Sequence, residues 1–305
     1  MNDATPPSDP TSATKRWQLL SPTAQAILLM IFSTFAFAGM NAAIRHVTKE
    51  LPPIEVAFFR NFFGLIVFLP VVFWNGFGFL RTKKFHLHAL RAVLNVTSMF
   101  AYFTALSMTP VARVTALGFT APLFTAVLSV YFLGERFRLR RWTAIGCGFL
   151  GTLVILRPGL LEIDTGSLLT LFSASLWGVT LILIKVMGRT ESSMTITGYA
   201  NLLLSALALV PAILVWQSPS LDGWIWLMVI GVSGTFGQLA VAEALRLAEA
   251  TALMPLDFLK LIWVAILGYV FFAESLDTMT WIGAVIVFTS GFYIAYRESQ
   301  VKKSG

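Results

Sequence analysis

The chain has 305 residues, of which 57% are hydrophobic and 12% charged, and its mean hydropathy is +0.78. Soluble domains are about 25% charged, so this composition excludes an ordinary soluble protein and points to a chain embedded in a bilayer. The net charge of +7 does not indicate a nucleic-acid partner, because Lys and Arg sit in short connections between apolar runs and form no long basic tract.

The opening MNDATPPSDPTSATK is polar and rich in Pro, Ser and Thr. It reads as disordered, and residues 1–22 are assigned to an N-terminal tail. The apolar run that begins near Ala24 is too long for the core of a cleavable signal. Crossing the hydrocarbon core takes about 20 apolar residues. Ten runs of that size follow: 24–45, 54–75, 87–108, 110–133, 139–157, 166–187, 193–216, 222–246, 250–273 and 278–296.

Lys and Arg orient them. With the N-terminus in the cytoplasm, sixteen basic residues fall inside, among them Arg81, Lys83, Lys84, Arg91, Arg136 and Arg141. Only four, Arg45, Lys49, Arg113 and Arg157, fall outside. Both termini are then cytoplasmic, and the expected location is a bacterial-type inner membrane.

An offset of 139 residues links the two halves. It sets Phe132, Glu135 and Trp142 on Phe271, Glu274 and Trp281, Leu117 and Phe119 on Leu256 and Phe258, and Gly39 on Gly178. Each half holds five runs, an odd number, so the second half is inverted. The loops agree: "ERFRLRR" (135–141) is strongly basic, whereas "ESLDT" (274–278) has no Lys or Arg. The fold class read here is an all-α membrane protein with ten transmembrane helices in two inverted five-helix repeats. The repeats span 23–158 and 163–297, followed by a tail at 298–305. Inverted repeats are common in secondary transporters, with the substrate near the midplane.

The block "ALSMTPVARVTALGFTAPLFTAVLSVYFLGERFRLRRWTAIGCGFLGTLVILRPG" (105–159) resembles the EamA domain of the drug/metabolite transporter superfamily. Residues 244–287 look like its degenerate partner, and "FFRNFFG" (58–64) is similar to the arginine-bearing second helix of such proteins. The resemblance implies a central cavity lined mainly by helices 1, 3, 4, 6, 8 and 9, and alternating access without ATP. Members carry amino acids, nucleosides, riboflavin, S-adenosylmethionine, amines and drugs, so it leaves the substrate open.

Charges inside apolar runs are the strongest pointers to function. Asp257 and Lys260, three apart in "MPLDFLKLIW" (254–263), share a helix face and can pair. As a binding pair, Asp257 would take a substrate cation or a proton and Lys260 a carboxylate. The competing reading is a self-neutralised structural pair. Asn41 and Gln238 are amides deep in their runs and join the candidate substrate site. Tyr102, Phe119 and Trp177 can form an aromatic wall for a planar or cationic ligand. Arg60, able to reach Glu55 or snorkel to the interface, and Glu243, three residues from Arg246, are candidates for gating or coupling. Asn95, Thr97 and Ser98 are expected to line the third helix, and Asn201 to serve packing.

One Cys and three His residues without metal-ligand spacing predict neither disulfide nor metal. No cofactor is expected. No nucleophile motif is present, so an enzyme is not expected. The expected partners are a small-molecule substrate and the lipid bilayer, with proton coupling through Asp257 or Glu243 open. Ala144/Gly148 and Ser233/Gly237 suit close helix contacts in either a monomer or a homodimer. The function read from the sequence is a secondary active or facilitative transporter or exporter of a small metabolite. A non-transporting membrane receptor or scaffold is the alternative.

Overall fold

The computed structural model describes residues 21–76, 81–121, 123–125, 127–128, 139–156, 164–188, 190–247, 256–257, 259–274 and 277–303. Among these no strand occurs. The helices are α1 (Pro22–Val47), α2 (Pro53–Asn75), α3 (Phe85–Met108), α4 (Val111–Gly118) and α5 (Leu139–Leu156), then α6 (Thr165–Met187), α7 (Ser193–Leu214), α8 (Leu221–Leu247), α9 (Leu259–Phe272) and α10 (Thr278–Lys303). Among the described residues five segments are long and apolar enough to cross a membrane: Pro22–Val47, Phe85–Met108, Thr165–Ile184, Met194–Leu214 and Leu221–Val241.

Local chemistry sets the boundaries. The hydroxyl of Ser21 accepts from Ala24 N and Pro22 occupies the first turn of α1, where its missing N–H costs nothing. Asp164 caps α6 through Ser167 N, and Ser192 caps α7 through Thr195 N. The expected fourth run is interrupted. Helix α4 stops at Gly118, Phe119 N and Thr120 N bond three residues back to Ala116 O and Leu117 O, and helical structure resumes at Ala121. A glycine at the stop favours such a break.

Polarity is arranged opposite to that of a soluble protein. Large apolar side chains stand outside: Leu214 and Leu221 are more than four-fifths exposed, and Phe32, Phe35, Phe62, Tyr269 and Val270 are also exposed. The interior holds Ser33, Asn41, Arg60, Asn61, Arg91 and Ser98. That is the arrangement lipid favours, because helices in hydrocarbon gain from small contacts and interhelical hydrogen bonds.

The tightest pairings are α1 with α8, α5 with α10, α3 with α6 and α2 with α7. Helix α2 also packs on α8, α3 on α7, α1 on α9, α4 on α6 and α4 on α9. Backbones touch where glycines meet. A methyl group at Gly151 of α5 would stand 2.9 Å from Gly283 O of α10, and one at Gly283 2.6 Å from Gly151 O. Between α3 and α6, Ser98 Oγ donates to Ser173 O at 2.9 Å and Ser173 Oγ to Ser98 O at 2.8 Å. Each such bond is worth roughly 0.6 kcal/mol.

Candidate functional site

Five of the seven expected substrate residues come together. Asn41, buried in α1, donates through Nδ2 to Tyr102 Oη of α3 at 3.1 Å. The Tyr102 ring lies against Gly118, the last residue of α4. The next residue, Phe119, is buried, and Lys260 Nζ of α9 sits over its ring, 5.0 Å from the centroid. Lys260 Nζ is 3.6 Å from Asp257 Oδ2. The site thus joins α1, α3, the break after α4 and the start of α9. Aromatic faces, an amide, a carboxylate and an ammonium lie within one neighbourhood. Such a set can hold a planar group and a charged group of one small molecule.

Trp177 and Gln238 do not join this group. Each is partly buried, on α6 and α8, and no hydrogen bond or ring contact among the described residues links either to the cluster. Glu243 is partly buried near the end of α8. Thr97 is exposed and bonds back to Val93 O, so it does not line the interior with Asn95 and Ser98. Asn201 is buried against Gly64: a methyl there would stand 3.2 Å from Asn201 Nδ2, which has no partner.

Arg60 departs from expectation. It neither pairs with Glu55 nor snorkels outward; it is buried, and Nη1 donates to Asn61 Oδ1 at 2.8 Å. Glu55 Oε2 instead accepts from Gln217 N at 3.0 Å. Arg91, counted above among cytoplasmic loop charges, is also buried, and its Nη1 donates to Ile196 O at 2.7 Å. Periodicity alone did not separate a buried arginine near a helix start from a loop arginine. The apolar residues flanking Arg91 in "ALRAVLNV" (89–96) were the available signal.

Polar contacts missed in the sequence close the end of the bundle where α1 meets α2. Arg45 Nη2 is 3.2 Å from Glu274 Oε1, and Arg45 Nη1 donates to Leu106 O and Ser107 O. Glu274 Oε2 accepts from Val111 N at 3.0 Å, which caps α4 from the α9–α10 loop. Asp164 accepts from Thr109 Oγ1 at 2.7 Å and lies 3.2 Å from Arg113 Nη1. Burial pushes the Asp164 carboxyl up, but the bonds from Thr109 and Ser167 and the Arg113 charge outweigh it and hold it below the ordinary value of 3.8. Glu50 accepts from Ser220 N at 2.7 Å, and His46 Nε2 is 3.2 Å from Asp222. At the opposite end, Glu191 accepts from Thr82 Oγ1 at 2.7 Å and lies 3.8 Å from His88 Nε2, whose ring stacks on Tyr199 at 4.5 Å.

Known proteins place this architecture. The S-adenosylmethionine uptake transporter of Rickettsia felis is 32% identical over 270 residues, covering 88% of this chain and 92% of that one. The riboflavin transporter of Vibrio cholerae is 30% identical over 282 residues, covering 90% and 94%. A solved crystal structure superposes with a TM-score of 0.63 at 18% identity, covering 89% of this chain and 96% of that one, a likeness of fold alone. These relatives are transporters, not enzymes. Residues 24–157 and residues 164–296 each match the EamA-like transporter family. With both halves matched and its relatives named for small metabolites, the chain belongs to the EamA-like transporter family.

Proposed function

We propose that the protein moves a small metabolite across the cytoplasmic membrane by alternating access, as a secondary active or facilitative carrier. The observation that carries this is the convergence of Asn41, Tyr102, Phe119, Asp257 and Lys260 at a helix break inside the bundle. Interrupted helices at membrane depth are tolerated where they line a cavity. Asp257 and Lys260 offer both charges, so a zwitterionic or cationic cargo with a flat group can open the pair and bind between its members. Proton uptake at Asp257 or Glu243 is the coupling step compatible with this arrangement.

The proposal includes two inverted five-helix repeats with both termini cytoplasmic. Helix packing supports the repeat. A shift of five helices exchanges α1–α8 with α6–α3, α2–α8 with α7–α3 and α1–α9 with α6–α4. The same shift returns α2–α7, α5–α10 and α4–α9 to themselves. At the 139-residue offset Asp257 is the mate of Gly118, so the charged pair and the helix break occupy equivalent places. The ion pairs at the α1–α2 end are the contacts that must part for the cavity to open there.

The test is transport in proteoliposomes, with thermal shift on the purified chain at pH 5.5 and 7.5. The panel holds S-adenosylmethionine, riboflavin, amino acids, nucleosides and organic cations. A cargo at 100 times its Kd stabilises the native state by about 2.7 kcal/mol. At least one solute is expected to be carried and to stabilise wild type but not Asp257→Asn. Transport of none removes the carrier reading and favours a receptor or scaffold. Equal stabilisation of both proteins makes the Asp257–Lys260 pair structural.

A further inference from the structure

Arg60 is a buried charge that no described residue answers with an opposite one. Its guanidinium has five N–H donors, and Nη1 makes its protein bond, to Asn61 Oδ1. That amide is itself fixed, with Nδ2 donating to Ala57 O at 2.8 Å and facing Met99 Sδ at 3.5 Å. Asn61 therefore holds the guanidinium in one orientation. Among the described residues Nε and Nη2 find no hydrogen-bond partner, yet neither is among the atoms sealed from accessible space. Among the described residues no carboxylate lies within ion-pair distance of Arg60; Glu55, on the same helix, is turned to Gln217.

The neighbourhood adds cost rather than relief. Arg91 of α3 is a second buried guanidinium, bonded to Ile196 O and with no carboxylate within ion-pair distance among the described residues. An uncompensated charge in such surroundings is unfavourable unless a counter-charge arrives. The edge left open is the Nε/Nη2 fork, whose two parallel N–H bonds match a carboxylate side-on. Gly234 of α8 faces that same edge. A methyl group at 234 would stand 3.3 Å from Nε and 3.6 Å from Nη2, so any side chain there would crowd the fork. It would also stand 2.8 Å from Met40 Sδ, an adaptable side chain of α1 next in sequence to Asn41. The free fork and the glycine opposite it are separate observations on two helices.

We propose that the Nε/Nη2 edge of Arg60 is an anion-binding subsite of the substrate cavity and takes a carboxylate of the cargo, with Asn61 as its positioning residue. This rests on the carrier reading and narrows it to cargoes that bear a carboxylate. The Asp257–Lys260 pair, neutral in itself, then serves the remainder of the molecule.

The experiment measures binding and proteoliposome transport of S-adenosylmethionine, which has an α-carboxylate, against its decarboxylated analogue, with free amino acids, riboflavin and riboflavin 5′-phosphate alongside. Wild type is expected to bind the carboxylate form at least tenfold more tightly. Arg60→Lys keeps the charge but loses the fork, and is expected to weaken that form at least tenfold while leaving the analogue within twofold. Gly234→Ala keeps the arginine but crowds its fork and Met40 Sδ; the same selective loss is expected, and it stands in should Arg60→Lys not fold. Equal weakening of both forms makes Arg60 structural and overturns the proposal. So does carriage of riboflavin with no response to any carboxylate, an outcome that leaves the carrier reading intact. An Arg60-dependent gain for riboflavin 5′-phosphate alone assigns the subsite to phosphate and defeats the carboxylate assignment. Failure to carry any of these solutes removes the carrier reading together with the subsite.

Discussion

Arg45 and Arg60 sit on neighbouring helices, α1 and α2, and meet opposite treatment. Arg45 has a carboxylate, Glu274, and two backbone carbonyls, Leu106 O and Ser107 O, so its charge and donors are answered within the chain. Arg60 is more deeply buried and has one amide oxygen. A guanidinium with protein partners ties elements together, here α1 to the α9–α10 loop and, through Glu274, to the start of α4. A guanidinium held by one side and left open on the other is arranged to receive. Burial alone does not distinguish a strut from a site; the unoccupied donor edge does.

Supplying Arg60 with a partner is the sharpest way to break the contrast. Gly234→Asp would place a carboxylate beside Nε and Nη2 and turn Arg60 into a second Arg45. Cargo affinity is expected to fall roughly 100-fold, about 2.7 kcal/mol, and the thermal midpoint without cargo to exceed that of Gly234→Asn, which crowds Met40 Sδ equally but brings no charge. Unchanged affinity would mean that no ligand uses the fork. The converse change removes the partner from Arg45. Glu274→Gln is expected to cost about 2–3 kcal/mol, somewhat under the range for fully buried pairs, because Arg45 would keep its charge without compensation. Arg45→Met in the same chain should restore much of it. Thermal unfolding in detergent measures both, and a neutral single variant would show that this pair does not hold the α1–α2 end together.

Much of the fold was legible because bilayer thickness sets helix length and composition marks each crossing. Seven of the ten expected runs match described helices to within about two residues; 110–133 breaks at Gly118–Thr120, the helix of 250–273 is described from Leu259, and that of 278–296 runs on to Lys303. The glycine at the break was visible, but helix breaks inside an apolar run depend on what packs alongside. Asp257 and Lys260 stood out because charges are rare in such runs, and Asn41, Tyr102 and Phe119 were brought into one neighbourhood with them by the fold. Trp177 and Gln238 were not, since depth along a helix says nothing about the face a residue occupies. The pairs Arg45–Glu274 and Arg113–Asp164 join residues 229 and 51 positions apart. No local spacing announces such contacts. Arg91 was misread for a related reason: a loop charge and a first-turns charge differ only in whether a neighbouring helix covers them.

The ion pair of α9 lies between the two arginines in character. Asp257 and Lys260 answer each other at 3.6 Å, and both side chains retain some exposure. Asp257→Asn strands the ammonium over Phe119 and is expected to cost about 1–2 kcal/mol, below the value for a fully buried pair. Lys260→Met in the same chain should recover most of that in the absence of cargo, and recovery of stability without recovery of transport would separate the pair's structural share from its binding role.

Asp164 offers the smallest effect and the cleanest sign. Its carboxyl is held below 3.8 in the fold, so the unfolded chain takes up its proton first as pH falls. The stabilisation is therefore complete above 3.8 and is lost as pH drops through the lowered native value. Asn caps a helix nearly as well as Asp, so Asp164→Asn keeps the bond to Ser167 N and removes chiefly the charge facing Arg113. More than a third of that side chain is exposed, and solvent screening limits the loss at pH 7 to under about 1 kcal/mol. The difference in thermal midpoint between wild type and variant should vanish below the native titration. A difference that persisted in acid would mean that Asn disturbs the cap itself, and that Asp164 acts at this end of the bundle through shape rather than charge.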